Sequence, residues 1–179
     1  HSYSRLLKQF SDKKLDCASP VAVPVAGASY TVPYLPFEDV VISLASSATE
    51  ITSLQQLAGK RIVAYQQAQQ VLGVQFSAAV ADANYLELAD RALQLELLFS
   101  NRVDLVIGER RVLLYLANKT APRLTLKTHH LFAEQKYPAA CWDPALKEVF
   151  NRGLELLQQS GELADILQQY NHLTAIGTE

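Results

Sequence analysis

The chain has 179 residues, 49% hydrophobic and 19% charged, which is enough to bury a core and excludes an intrinsically disordered protein. Sixteen Lys and Arg against eighteen Asp and Glu give a net charge of −2, so no basic excess is available for phosphates and nucleic acid is excluded as a partner. No apolar run approaches the roughly 20 residues that cross a bilayer, and no charged-then-apolar leader opens the chain, so it reads as a mature or trimmed soluble piece.

Leu6, Leu7 and Phe10 fall at helical spacing, and Ser11 to Lys14 break the pattern before a short strand near Leu15 to Ala18. Prolines at 20, 24, 33 and 36 disfavour regular structure, although Ala28 to Tyr34 can be extended. Val40 to Leu44 reads as a buried strand. Ser53-Leu54-Gln55-Gln56 has capping-box form and predicts a short helix ending at Gly59. Arg61 to Tyr65 is a strand, and residues 69–81 predict a helix with Val71, Leu72 and Phe76 inward. Tyr85, Leu88, Ala92, Leu95 and Phe99 step by three and four and predict a second, stronger helix.

Val103 to Ile107 is a further strand, followed by a helix from Glu109 to Asn118 carrying Val112, Leu113 and Leu116. This alternation predicts a parallel sheet covered by helices. Residues 124–132 and 137–142 look extended. Asp143-Pro144 supplies an N-cap and a first-turn proline for a helix with Leu146, Val149, Phe150, Gly153, Leu154 and Leu157 on one face. Ser160-Gly161 interrupts it, and Leu163, Ile166, Leu167 and Tyr170 mark a last helix. Cys17 and Cys141 are too far apart in sequence for a metal knuckle or redox motif; they permit one disulfide without demanding it.

Several phrases taken in order resemble the type II periplasmic solute-binding proteins, in particular the polar amino-acid-binding family of ABC uptake systems. They are Thr31-Val32-Pro33-Tyr34, Ser53 to Val63, Asn101 to Ile107, Lys136 to Ala140, Phe150 to Leu154, and Ser160 to Leu163 with Ile166 to Tyr170. The resemblance implies an α/β, two-lobed type II fold with parallel-rich sheets flanked by helices and with lobe one incomplete at its N-terminus. Lobe one then takes residues 1–44 and 135–179, and lobe two takes 45–134. The same topology sets the strand near Leu15 beside the strand returning from Tyr137 to Cys141, which brings Cys17 and Cys141 near each other.

Two departures from the family stand out. No Lys or Arg lies between Leu15 and Gly59, where the family's amino-acid binders carry an arginine before the Pro-Tyr phrase. The Gly-Thr turn expected after Tyr65 is replaced by Gln66-Gln67-Ala68-Gln69-Gln70.

Ligands of open parallel sheets sit beyond the carboxyl ends of the strands, which selects Gln66, Gln67 and Glu109. Glu109 matches the family position of the acid that takes a ligand ammonium, and it serves equally as a first-turn acid favoured by the helix dipole. Tyr34, with Ser29, Tyr30 and Thr31, offers an aromatic and hydroxylated wall in lobe one, against the plainer reading of a core tyrosine. His129 and His130 point to opposite faces of a strand and read as a solvated strand end.

No catalytic motif, metal set or cofactor loop is present in the sequence, so no catalytic residue, metal or cofactor is expected. The expectation is extracytoplasmic, periplasmic capture of a small polar solute, neutral or cationic, in an interlobe cleft for an ABC transporter. Its membrane subunits would be partners, and pairing of two copies would follow from an uncovered lobe-one edge. The alternatives are a ligand-sensing domain of a membrane receptor, an interaction module with a decayed site, and an enzyme on a similar scaffold.

Overall fold

The computed structural model describes residues 2–172, with side chains to Gln169. It divides into two compact units: the chain up to Phe37 with Gln135–Asn171, and Glu38–Glu134.

Unit one opens with helix α1 (Tyr3–Ser11), N-capped by Ser2. Strands β1 (Cys17–Ala18) and β2 (Ser29–Tyr30) both pair antiparallel with β10 (Ala140–Cys141), which lies between them. This small sheet is antiparallel, where parallel-rich sheets were expected, because its centre arrives by chain return rather than by helical crossover. Strands β3 (Leu35–Phe37) and β9 (Gln135–Tyr137) form a separate antiparallel pair. The extended stretch expected over residues 28–34 reduces to β2.

Leu7, Phe10, Ala18, Val21 and Ala140 form the core of unit one. The Trp142 ring stacks on Phe10 at 4.8 Å, and its Nε1 donates to the Phe10 carbonyl at 2.8 Å. Cys17 and Cys141 face each other in register and form a disulfide, with Cα atoms 4.1 Å apart.

Helix α6 (Pro144–Ser160) starts at the expected cap, where Asp143 accepts from the Ala145 amide at 2.8 Å. Gly161, at φ +83°, separates it from α7 (Glu162–His172). Leu146 and Val149, placed on one face with Leu154, are 42% and 55% exposed, and Leu154 is the buried residue of α6.

Unit two is a five-stranded sheet in the order β6-β5-β7-β4-β8. Its strands are β4 (Asp39–Leu44), β5 (Arg61–Tyr65), β6 (Asn84–Leu88), β7 (Leu105–Glu109) and β8 (Leu126–His129). β5, β6 and β7 are parallel, and β4 runs antiparallel to both β7 and β8. β4 had been expected to close the first part of lobe one at residue 44. It belongs to unit two because β7 and β8 take its hydrogen-bonding groups on both sides, so the division falls after Phe37.

Near-continuous apolar strands put both faces of this sheet in a core. Val41, Ile62, Ala64 and Ile107 pack on Leu57, Ala68 and Phe76 on one face. Val40, Ile42, Val63 and Val106 pack on the other face against Leu95 and Leu98 of α4 (Arg91–Phe99) and Leu113 and Ala117 of α5 (Arg110–Thr120).

Three local expectations change. Residues 69–81 form two short helices, α2 (Ala68–Leu72) and α3 (Val74–Ala79), because Gly73 sits at φ +86°. Tyr85 to Leu88 is a strand, since pairing along the whole length of β5 outweighs the helical spacing, and α4 begins only after the Asp90 N-cap. The capping box over 53–56 opens a 3-10 turn at Leu54–Leu57, with the Gln56 side chain reaching back to the Ser53 amide at 3.1 Å.

Candidate functional site

The candidate site is the end of the unit-two sheet where β5, β6 and β7 finish. β8 finishes there too and β4 begins there, since β4 is antiparallel to both of its neighbours. Tyr65, Leu88, Glu109, His129 and Asp39 therefore lie at one end.

Gln66 and Gln67 follow β5 directly. Gln67 adopts the left-handed conformation at φ +66° and is the residue at which α2 is capped. Both glutamines are half-buried, and the amide oxygen of each is buried without a hydrogen-bond partner. The backbone of the turn is engaged: the Glu87 carboxylate accepts from the Gln67 amide at 2.6 Å, the Gln69 amide at 3.1 Å and the Tyr85 hydroxyl at 2.8 Å. Burial, and then the adjacent Glu87 carboxylate, raise the Tyr85 hydroxyl pKa.

Glu109 ends β7 and caps α5, accepting from the Val112 amide at 2.9 Å and from Arg111 Nε at 2.7 Å. It is 7% exposed. Its charge is thus balanced within the chain, which is the helix-start role weighed for it, and two of the roughly four acceptor positions of a carboxylate remain.

Across the ladder Glu109 faces Asp39, an equally buried carboxylate that accepts from the Tyr65 hydroxyl at 2.9 Å. Burial pushes the Asp39 pKa up to about 6, and the Glu109 charge adds to the rise against the opposing effects of Tyr65 and Arg91. The Arg91 guanidinium lies over the Tyr65 ring, 5.2 Å from its centroid.

Glu38 holds Arg110 at 2.6 Å and His130 at 2.8 Å. Burial would raise its pKa, but the hydrogen bond and charge of Arg110, followed by the contact with His130, together outweigh burial and lower it. His129 differs from the solvated strand end expected of it: it is buried, its Nε2 bonds the Ser43 hydroxyl at 3.0 Å, and its Nδ1 accepts from the Ile51 amide at 3.3 Å.

Gln66, Gln67 and Glu109 therefore share one end of one sheet. Tyr34 lies in unit one, its hydroxyl 2.5 Å from the Ser19 hydroxyl and its ring 5.4 Å from Phe150. Asp39, Tyr65, Glu87 and Arg91 are the residues that sequence reasoning missed. Assigning Tyr85 to Leu88 to a helix hid the end of β6, and with it the position of Glu87 and Arg91. The alternation Tyr85-Leu86-Glu87-Leu88 followed by Asp90 was the available signal.

No protein-family model matches the chain. No characterised protein matches it by sequence. Solved structures do match. An amino acid ABC transporter substrate-binding protein from Streptococcus pneumoniae bound to L-arginine superposes with a TM-score of 0.79 at 20% identity, covering 99% of this chain and 76% of that one. The GluR0 ligand-binding core in complex with L-glutamate gives 0.77 at 19% identity over 94% and 78%. An ancestral amino acid-binding protein that is a precursor of cyclohexadienyl dehydratase gives 0.74 at 15% over 95% and 74%. The chain thus has the type II periplasmic-binding fold, the fold of amino acid ABC transporter substrate-binding proteins. Its structural neighbours are mainly binding proteins, and one is the precursor of an enzyme. Among the described residues no helix is long and apolar enough to cross a membrane.

Proposed function

We propose that the chain captures a small polar solute at the carboxyl ends of the unit-two strands, as a non-enzymatic binding component of ABC-type uptake. The observation that carries this reading is the pair of unpartnered amide oxygens on Gln66 and Gln67, at the place where open α/β sheets take their ligands. A buried acceptor without a partner costs about 1–3 kcal/mol, which an N–H or O–H donor of a ligand would relieve.

Glu109 contributes acceptor positions at the same strand ends, and Tyr34 of unit one is carried forward as a candidate ligand contact. The preference for cationic ligands is not carried forward, because Arg111 already balances Glu109. A disulfide joining Cys17 to Cys141 supports residence in an oxidising compartment such as the periplasm. The fold shared with transporter-associated proteins supports membrane subunits of an ABC transporter as partners. The exposed Leu146, Val149 and Leu156 of α6 support pairing of two copies, for which light scattering is the test.

The test of solute capture is a thermal-shift screen of amino acids, amines, sugars and small acids, followed by calorimetry on the hit. A ligand that raises the melting temperature of the parent and loses affinity in Gln66→Ala/Gln67→Ala supports the reading. A screen without a hit, or a hit indifferent to both substitutions, overturns it.

A further inference from the structure

The unit-two sheet has two edges, β6 and β8, and they are built differently. β8 carries Lys127 in mid-strand, a charge that discourages another strand from adding to it. β6 holds no proline, lysine or arginine, and its register with β5 runs without a bulge. Its one charge, Glu87, is satisfied within the chain by the Gln67 and Gln69 amides and the Tyr85 hydroxyl. Mid-strand Leu86 is 48% exposed. No strand among the described residues pairs with the outer side of β6.

The register fixes where each backbone group of β6 points. The Asn84 amide donates to the Lys60 carbonyl at 2.9 Å, so Asn84, Leu86 and Leu88 turn their hydrogen-bonding groups towards β5. Tyr85 and Glu87 lie between them and turn theirs outwards. The open edge thus presents the N–H and C=O of both residues in a row, and the natural complement of such a row is another strand.

β6 is its own complement. With antiparallel copies related by a two-fold axis at Leu86, Tyr85 of each copy faces Glu87 of the other, and each such pair exchanges N–H and C=O hydrogen bonds. Leu86 then faces Leu86 of the second copy at a non-hydrogen-bonded position, where Cα atoms come within about 4.5 Å and side chains are closest. An axis at Tyr85 or at Glu87 shortens the paired stretch, and the second of these also sets two Glu87 carboxylates side by side. The Leu86 axis brings apolar to apolar and keeps the charges of the two β6 strands apart.

We infer that two copies of this chain pair through β6, joining their five-stranded sheets into one continuous sheet with Leu86 on the two-fold axis. A strand pair this short buries less than the roughly 1,200–2,000 Å² of a stable complex, so the dimer is weak and reversible. It is independent of solute capture, and it uses a different surface from the exposed apolar residues of α6.

The test combines mass, exchange and crosslinking on the whole chain. Light scattering should show the average mass rising towards that of a dimer between about 10 µM and about 1 mM. Over the same range, amide exchange at Tyr85 and Glu87 should slow about tenfold or more. Leu86→Lys places two ammonium groups on the axis and should keep the protein monomeric with its melting temperature unchanged, whereas Leu156→Lys should leave the dimer intact. Leu86→Cys supplies the chain's one free thiol, because Cys17 and Cys141 are bonded to each other. Mild oxidation should link that variant into a covalent dimer, and Leu93→Cys, at a position 41% exposed on α4, should stay a monomer. A single-chain mass throughout, exchange at Tyr85 and Glu87 that does not depend on concentration, or a dimer abolished by Leu156→Lys and not by Leu86→Lys overturns pairing through β6. Crosslinking of Leu93→Cys as readily as of Leu86→Cys overturns the position of the axis.

Discussion

Asp39 and His129 carry opposite dependences on pH. The Asp39 carboxyl is raised to about 6 by burial, with Glu109 adding to the rise, so the folded state holds its proton more tightly than the unfolded chain does. Its stabilising contribution is complete below about pH 4 and is lost as pH rises through about 6. His129 is lowered, first by burial and then by Lys127, so its contribution is present above its ordinary value near 6.5 and is lost as pH falls below that. Asp39→Asn keeps an acceptor for Tyr65 and removes the penalty of a buried charge. It should stabilise the protein at pH 7.5 by up to about 3 kcal/mol, the equivalent of a shift of about two pKa units. The variant should also lose stability more steeply than the parent between about pH 6.5 and 4, because the His129 slope is then unopposed. Urea melts at several pH values check both outcomes.

The position of Gln66, Gln67 and Glu109 at strand ends was legible from hydropathy alone, because β5 and β7 are apolar runs followed directly by polar residues. Asp39 was not, since its importance comes from facing Glu109 across a pairing of strands seventy residues apart, and single-chain periodicity carries no information about pairing partners. For Glu109 itself, Glu109→Gln keeps an acceptor for the Val112 amide and loses the ion pair with Arg111. The expected cost is about 1–3 kcal/mol of stability, read by chemical denaturation.

At the scale of elements, the most instructive miss is the segment from Tyr85 to Phe99. Its apolar residues satisfy a helical period across a boundary that the chain places at Asp90, because five residues of parallel pairing with β5 settle the first part as a strand. Tertiary pairing overrode a local pattern that was real but too short to decide. Gly73 shows the converse, a purely local cause. A Cβ there would meet nothing within 4 Å, yet the backbone sits at φ +86° with ψ −177°, a region that essentially only glycine occupies. Gly73→Ala should therefore destabilise unit two by about 1–3 kcal/mol through backbone strain alone, with a matching fall in the urea midpoint.

The β5–α2 turn is held by Glu87 from the neighbouring strand. Glu87→Ala removes the acceptor for the Gln67 and Gln69 amides, and hydrogen exchange at those two amides should speed up while exchange in the β5 strand stays slow. Equal protection in parent and variant would show that the turn does not depend on this carboxylate.

For the whole molecule, the α/β class and the proximity of Cys17 to Cys141 were legible through the family resemblance, and the Cys17–Cys141 disulfide bears out that proximity. The boundary at Phe37 was missed because β4 is buried on both faces, a property that says how deep a strand lies and nothing about which sheet owns it. The disulfide links residues 124 apart, and loop-closure reasoning assigns such a crosslink about 2–5 kcal/mol. Guanidinium melts with and without reductant should show that loss in unit one, reported by Trp142 fluorescence, since Trp142 adjoins Cys141 and stacks on Phe10.

The central position of β10 has a consequence for the order in which the chain matures during synthesis. β1 and β2 both pair with β10, and β3 pairs with β9, so each of these strands waits for a partner made about a hundred residues later or more. All of the unit-two sheet strands are complete before that partner emerges from the ribosome, so the nascent chain carries a foldable insert while β1, β2 and β3 remain unpaired. Cys17 spends the same interval as a free thiol. A ribosome-bound chain stalled with residues 1–134 exposed should accordingly show a protease-resistant core in unit two and a Cys17 that is fully reactive to maleimide.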